Sequence, residues 1–192
     1  MIQFPARLRP RALLVLGVLW SCVLLSGPGF AEQGATTGFF DQTFGDFSEE
    51  IKNAKEQGKK GVFIMFEMEN CPYCLRMRTT VLNRPEVQAF YRANFLTFPI
   101  DIEGAVEVTD FAGRPTTQKD FARLGVQVRA TPTFAFFDLT GNLIAKYAGA
   151  TDDAQEFMWL GDYVVSGRYE DTPFPVYRRE RQDAAAKPGA AG

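Results

Sequence analysis

The sequence predicts an α/β domain built on one central mixed sheet with helices on both faces. Three observations lead there. The nearly continuous apolar run 62–68 (VFIMFEM) has the length and composition of a strand buried on both sides, and 133–139 (TFAFFDL) reads as a strong strand. Segments with helical spacing separate 62–68 from a second strand-like run at 95–102, the pattern of parallel strands joined by crossovers. A Thr140-Gly141-Asn142 turn then returns the chain from 133–139 into 143–148, an antiparallel hairpin.

The N-terminus reads as an export signal. Arg7, Arg9 and Arg11 precede an apolar run over 12–25, which Ser26, Gly27, Pro28 and Gly29 interrupt. Gly29-Phe30-Ala31 offers small residues at the two positions a signal peptidase reads, so cleavage is expected after Ala31. An uncleaved anchor is the main competing reading, since counting to Phe30 nearly reaches the ~20 residues of a span. A lipoprotein at Cys22 fits less well, because Trp20 is bulky and the chain stays hydrophobic after the cysteine. Expected localisation is therefore the periplasm. Residues 32–43 are rich in Gly and Thr and read as a flexible linker ahead of a domain over 44–170.

Within that domain, 46–60 reads as an amphipathic helix capped by Asp46 or Ser48 and stopped at Gly58. The 62–68 strand leads directly into Cys71-Pro72-Tyr73-Cys74, and 74–84 and 85–95 carry helical spacing. Pro99 lies in the 95–102 strand, which suggests an edge or a bulge, because proline has no N–H for a ladder. Residues 103–117 are polar and irregular, 117–124 is a short helix ended by Gly125, and 126–128 is a short extended piece. A closing helix covers 152–165, and the tail 171–192 is expected to be largely disordered.

Composition narrows the chemistry. At 46% hydrophobic residues with 18 Phe, the 192-residue chain can bury a sizeable core. Its formal net charge of -2 falls to -5 once the three signal arginines leave, which argues against a nucleic-acid partner held by bulk electrostatics. The sequence has no histidine, so Ser-His and Cys-His catalysis and His-ligated metal sites are excluded. With Cys22 removed, the two remaining cysteines are those of one C-x-x-C. A disulfide closing so short a loop contributes little stability, so a redox role is favoured over a structural one.

Cys71 falls where a buried strand gives way to a helix start, where backbone N–H groups stabilise a thiolate; it is the expected attacking sulfur. Cys74, one turn further, resolves the mixed disulfide. Pro72 suits the first helical turn. A zinc site lacks ligands within the mature chain. Met68, Cys71, Cys74 and Met77 are spaced M-x-x-C-x-x-C-x-x-M, which keeps a copper(I)-carrier reading open as the alternative. A catalytically idle interaction domain is the third option. Neither the redox direction nor the substrate follows from the sequence.

Taken together, C-P-Y-C after an apolar strand, Ala130-Thr131-Pro132-Thr133 before the next, and the hairpin G-N-L-I-A-K-Y-A-G resemble the thioredoxin superfamily over about residues 44–166. The resemblance implies a thioredoxin fold, a cis Pro132 against the sulfurs, and a glycine at Gly149 after the last strand. It also implies that Pro72, Tyr73 and Thr131 bind substrate, with Thr131's backbone left to pair with an extended segment. No cofactor is expected, and the protein is expected to be a monomer. F-E-M-E-N-C-P-Y-C, F-P-I-D-I-E-G, V-T-D-F-A-G-R and G-D-Y-V-V-S-G-R-Y are similar to the periplasmic SoxW-type thioredoxins of bacterial sulfur oxidation. That likeness implies a reductant of periplasmic protein disulfides, supplied with electrons by a membrane thiol carrier of the CcdA or DsbD kind. C-P-Y-C also occurs in glutaredoxins, but the export signal and the missing Gly-Gly after the hairpin speak against them.

One position departs from the family. Many thioredoxins carry a buried Asp six residues before the first cysteine, and here that residue is Met65. Strand side chains alternate, so Phe63, Met65 and Glu67 share a face. Glu67 is therefore a candidate proton acceptor for Cys74, with a surface ion pair to Arg76 or Arg78 as the competing expectation.

Overall fold

The computed structural model describes residues 38–187; the expected signal peptide, Cys22 and half of the linker lie outside them. Among the described residues, no helix is long and apolar enough to cross a membrane.

Helix α1 (Phe47–Glu56) starts where Asp46 accepts the Glu49 amide, with acids in its first turn. Strand β1 (Gly61–Glu67) follows, then α2 (Pro72–Arg76), which runs on as a π turn (Met77–Val81). Next come α3 (Pro85–Asn94) and β2 (Phe95–Asp101). After a short excursion the chain forms β5 (Thr133–Phe137), β6 (Leu143–Ala148) and α5 (Ala154–Val165). The sheet order is β2-β1-β5-β6, with β1 parallel to β2 and antiparallel to β5, and β6 antiparallel to β5. β2 is an edge, and Pro99 sits in it opposite Met65, as its missing N–H requires.

The excursion between β2 and β5 differs from the sequence expectation in two places. Residues 103–117 contain a small hairpin, β3 (Glu107–Thr109) with β4 (Pro115–Thr117), too short to show an alternation. After α4 (Gln118–Asp120) and a second π turn (Phe121–Gly125), 126–128 is not extended. Val126 is right-handed helical and Gln127 has φ +58°. Both valines are buried in one cluster, so apolar residues two apart imitated a strand.

Alternation along β1 and β5 divides the core. Phe63, Met65, Phe134 and Phe136 face α2, α3 and α5 in a cluster that includes Cys71, Cys74, Tyr91 and Phe157. Val62, Ile64, Phe66, Ala135 and Phe137 face the other way, onto Phe47 and Ile51 of α1 and Phe121. Helices thus cover both faces. Close packing of α5 on α3 depends on Gly161, where a Cβ would come within 2.6 Å of the Phe90 ring and 3.1 Å of Tyr91.

Both expected domain ends are corrected. In place of a disordered tail, α6 (Phe174–Ala186) lies on α5 with Phe174 and Tyr177 buried. Phe174 meets Tyr147 and Tyr163 edge-on at 5.4 Å, and Arg178 pairs with the buried Glu156 at 2.7 Å. Few of the tail's residues are apolar, but two aromatics three apart make one stripe, and its arginines find carboxylates on α5. At the other end, the segment read as linker already belongs to the core by Phe39, whose carbonyl accepts the Thr97 hydroxyl at 2.6 Å. Asp41 accepts the Thr97 amide at 2.8 Å.

Candidate active site

Sequence placed Cys71 where β1 ends, and local backbone shows how the chain makes that turn. Asn70 has φ +59°, a left-handed conformation that Asn tolerates better than most residues. Cys71 is then extended (φ -89°, ψ 105°) and caps α2, with Pro72 at the first helical position. Cys71 and Cys74 form a disulfide with Cα atoms 5.2 Å apart.

The two sulfurs are not equivalent. Cys71 Sγ accepts the backbone N–H of Cys74 at 3.2 Å and the hydroxyl of Thr131 at 3.3 Å. Such donors stabilise negative charge on that sulfur once the pair is reduced. Burial does little to distinguish them: Cys71 is 7% exposed and Cys74 is 3% exposed.

Thr131 reaches Cys71 from the head of β5, where the Thr131–Pro132 bond is cis and Pro132 is buried. The Pro132 carbonyl accepts the amide of Gly149 at 2.8 Å, and Gly149 has φ +106°, a conformation that favours glycine. Cys71, Cys74, Thr131 and Pro132 are therefore brought together from segments 60 residues apart. Tyr73 is 62% exposed, and Met68 and Leu75 are exposed as well.

A cavity of about 590 Å³ opens beside the disulfide, and both cysteines line it with Glu67, Met68, Glu69, Leu75, Arg78 and Asp101. Glu67 is on the face expected for it. Its carboxylate is held by Arg78, whose Nε donates to Oε2 at 2.8 Å and whose Nη2 donates to Oε1. The Arg78 guanidinium also lies 4.7 Å over the Phe40 ring. The ion pair that competed with the proton-acceptor role is thus present, and it borders the cavity that both sulfurs share. Arg76 goes elsewhere, to the carbonyls of Thr151 and Asp152.

Met77 is fully buried, and its sulfur takes the Thr151 hydroxyl at 3.7 Å. The four-sulfur set of the copper reading is not assembled, since Met77 packs into the core while Met68 lines the cavity. Among the described residues, no cluster of three or more His, Cys, Asp or Glu side chains is placed to hold a metal. Sequence reasoning missed Asn70 and Asp101. The signal for the first was an Asn directly before the cysteine; Asp101 stands opposite Glu67 in the β1–β2 register.

Known structures share this fold. A thioredoxin-fold protein from Helicobacter pylori superposes with a TM-score of 0.57 at 20% identity, covering 66% of this chain and 87% of that one. A candidate disulphide-isomerase from Bacteroides thetaiotaomicron gives 0.52 at 22% identity, covering 66% and 91%. The DsbH oxidoreductase gives 0.51 at 14%, covering 66% and 85%. At these identities the likeness shows the fold, which is the thioredoxin fold. No curated protein matches the sequence. The family model for the thioredoxin-like domain matches residues 47–165, which takes in the whole sheet, the C-x-x-C and the cis-proline, and the chain belongs to that family.

Proposed function

We propose that the protein is an exported thiol–disulfide oxidoreductase that reduces disulfides of periplasmic proteins. The observation that carries this is the unequal setting of the two sulfurs, with two hydrogen-bond donors aimed at Cys71 Sγ. In the reduced protein, the Cys71 thiolate attacks a partner disulfide and expels one partner thiolate. Cys74 then attacks Cys71 Sγ, releases the second partner thiol and leaves the Cys71–Cys74 disulfide. Two electrons pass to the partner, and a membrane thiol carrier of the CcdA or DsbD kind supplies a further two that restore the Cys71–Cys74 dithiol. The N-terminal sequence supports export, and the V-T-D-F-A-G-R and F-P-I-D-I-E-G motifs support a SoxW-type role.

Pro72, Tyr73 and Thr131 take the partner segment, Tyr73 through its exposed ring and Thr131 through its backbone. Glu67 accepts the Cys74 proton through water in the shared cavity, with Arg78 as its counter-ion. The test is reduction of a protein disulfide by the dithiol form. Cys71→Ser abolishes reduction, whereas Cys74→Ser accumulates a mixed disulfide with the partner. Trapping by Cys71→Ser in place of Cys74→Ser would reverse the assignment, and full reduction by both variants would end it.

A further inference from the structure

The geometry points to a recognition cleft beside the redox pair, lined by Lys119, Arg123 and Arg129, that takes an acidic segment flanking the partner's disulfide. This deepens the oxidoreductase reading and rests on it for the identity of the partner as a disulfide protein.

The cleft has a volume of about 380 Å³, and Ile102, Glu103 and Val128 complete its walls. All three cations are exposed. Among the described residues none of the three is ion-paired, whereas Arg78, Arg114, Arg168, Arg178 and Arg181 each hold a carboxylate. Glu103 is the one carboxylate in the lining, so three positive charges face one negative charge. A concentration of positive charge on a chain with more acids than bases attracts a negatively charged partner to this place in particular.

The walls are fixed by the fold. The Lys119 amide donates to the Gly104 carbonyl at 3.0 Å, and Gln118 Oε1 accepts the Asp101 amide at 3.1 Å. These bonds hold the end of β2 against α4, and a Cβ at Gly104 would lie 2.5 Å from Gln118 Oε1. On the opposite wall, the Val128 amide donates to the Ala122 carbonyl at 2.9 Å. A preformed cleft spares a ligand the cost of ordering it.

Position ties the cleft to the chemistry. Arg129 is two residues before Thr131, a distance of at most about 7 Å along the chain. Thr131 in turn touches Cys71 Sγ at 3.3 Å. Asp101 lines the cavity at the sulfurs, while Ile102 and Glu103 line the cleft, so the end of β2 separates the two. A segment paired with the Thr131 backbone therefore runs past Arg129, and acidic side chains near its cysteine enter the cleft.

The experiment uses the full chain, kept in its dithiol form by dithiothreitol, and two disulfide peptides, one with Asp and Glu beside the cysteines and one with Lys, with rates taken above the dithiothreitol background. A neutral small disulfide, hydroxyethyl disulfide, serves as control. The acidic peptide should have a kcat/KM roughly tenfold above the Lys peptide at low salt, as three partly exposed ion pairs allow. That preference should shrink in high salt. Combined Lys119→Gln, Arg123→Gln and Arg129→Gln should erase it and leave turnover of the neutral disulfide unchanged. Binding of an acidic peptide with Ser in place of Cys, followed by fluorescence anisotropy, should weaken by a similar factor in that variant. Equal rates for the two peptides, or a preference that survives the triple substitution, would overturn the cleft and leave the oxidoreductase reading standing. Failure to reduce any of the three disulfides, with charge-dependent binding of the Ser peptide intact, would instead remove the redox reading and keep the cleft.

Discussion

The two faces of the central sheet are both rich in Phe, yet they are closed differently. The face carrying Val62, Ile64 and Phe66 is covered by α1 and the turn around Phe121, elements contiguous with the domain and readable in order. The face carrying Phe63, Met65 and the two cysteines is completed by the outer segments of the domain, Phe39 before it and Phe174 and Tyr177 after it. Tyr91 shows how dry this second face is. Its hydroxyl donates to the Phe157 carbonyl at 2.8 Å, and burial raises the phenol pKa well above its ordinary value. The comparison teaches that the core supporting the disulfide depends on segments that, by composition alone, resemble linker and tail.

Removing 174–192 tests that dependence most severely. It would expose the faces of Tyr147 and Tyr163 that Phe174 and Tyr177 cover, and leave the buried Glu156 carboxylate without Arg178. Loss of about 4 kcal/mol or more is expected in urea denaturation, from two buried aromatics and a broken ion pair. A change below about 1 kcal/mol would show that α6 contributes nothing to the redox face.

Two phenylalanines five residues apart sharpen the N-terminal side. Phe39 is buried against Phe63, Tyr91 and Phe157, whereas Phe44 is fully exposed at 107%. Phe39→Ala should cost about 3 kcal/mol, and Phe44→Ala should stay within about 0.5 kcal/mol. Equal effects would place the domain boundary at 44, as the sequence suggests.

These boundaries mark where sequence reading stopped. Strands β1 and β5 were legible because long apolar runs bounded by turns have few other solutions, and Pro99 marked β2 as an edge. The C-x-x-C stood out as a redox candidate from the cysteine spacing and its place between a buried strand and a helix, with a copper(I) carrier left open. Pro132 was not; its cis bond and its closeness to the sulfurs came only through family resemblance. What stayed hidden was set by long-range partners. Phe39 belongs to the core through Thr97, and α6 through Glu156 and Asp162. No local pattern in either segment announces those contacts.

Glu67 offers a kinetic test of the redox face. Glu67→Gln keeps the side chain's shape and removes its capacity to take a proton. If Glu67 serves Cys74, resolution of the mixed disulfide should slow roughly tenfold at neutral pH while the first attack by Cys71 is unchanged. That is modest for general-base catalysis, because Arg78 keeps the carboxylate paired. Stopped-flow measurement of the two steps separates them, and equal slowing of both would reduce Glu67 to a structural partner of Arg78.

The smallest expected effect belongs to the opposite face and should leave the chemistry untouched. Asp46 caps α1, taking the Ser48 hydroxyl at 2.6 Å and the Glu49 amide at 3.1 Å. These two bonds, the hydroxyl first, hold its carboxyl pKa below the ordinary value. A folded-state pKa depressed below the unfolded one gives stability that is present above about pH 4 and lost as pH falls through the folded value. Asp46→Ala should therefore cost about 1 kcal/mol at pH 7, and the gap from the parent should close toward acid. Asp46→Asn keeps a capping oxygen and removes the charge, so it should cost only a few tenths of a kcal/mol and flatten this part of the acid slope. Urea denaturation from pH 2 to 7 reads both, with disulfide reduction at pH 7 as the control. Parallel pH profiles for the parent and Asp46→Asn would show that the cap owes nothing to its charge. Slower reduction by either variant, at full folding, would show that the two faces are coupled after all.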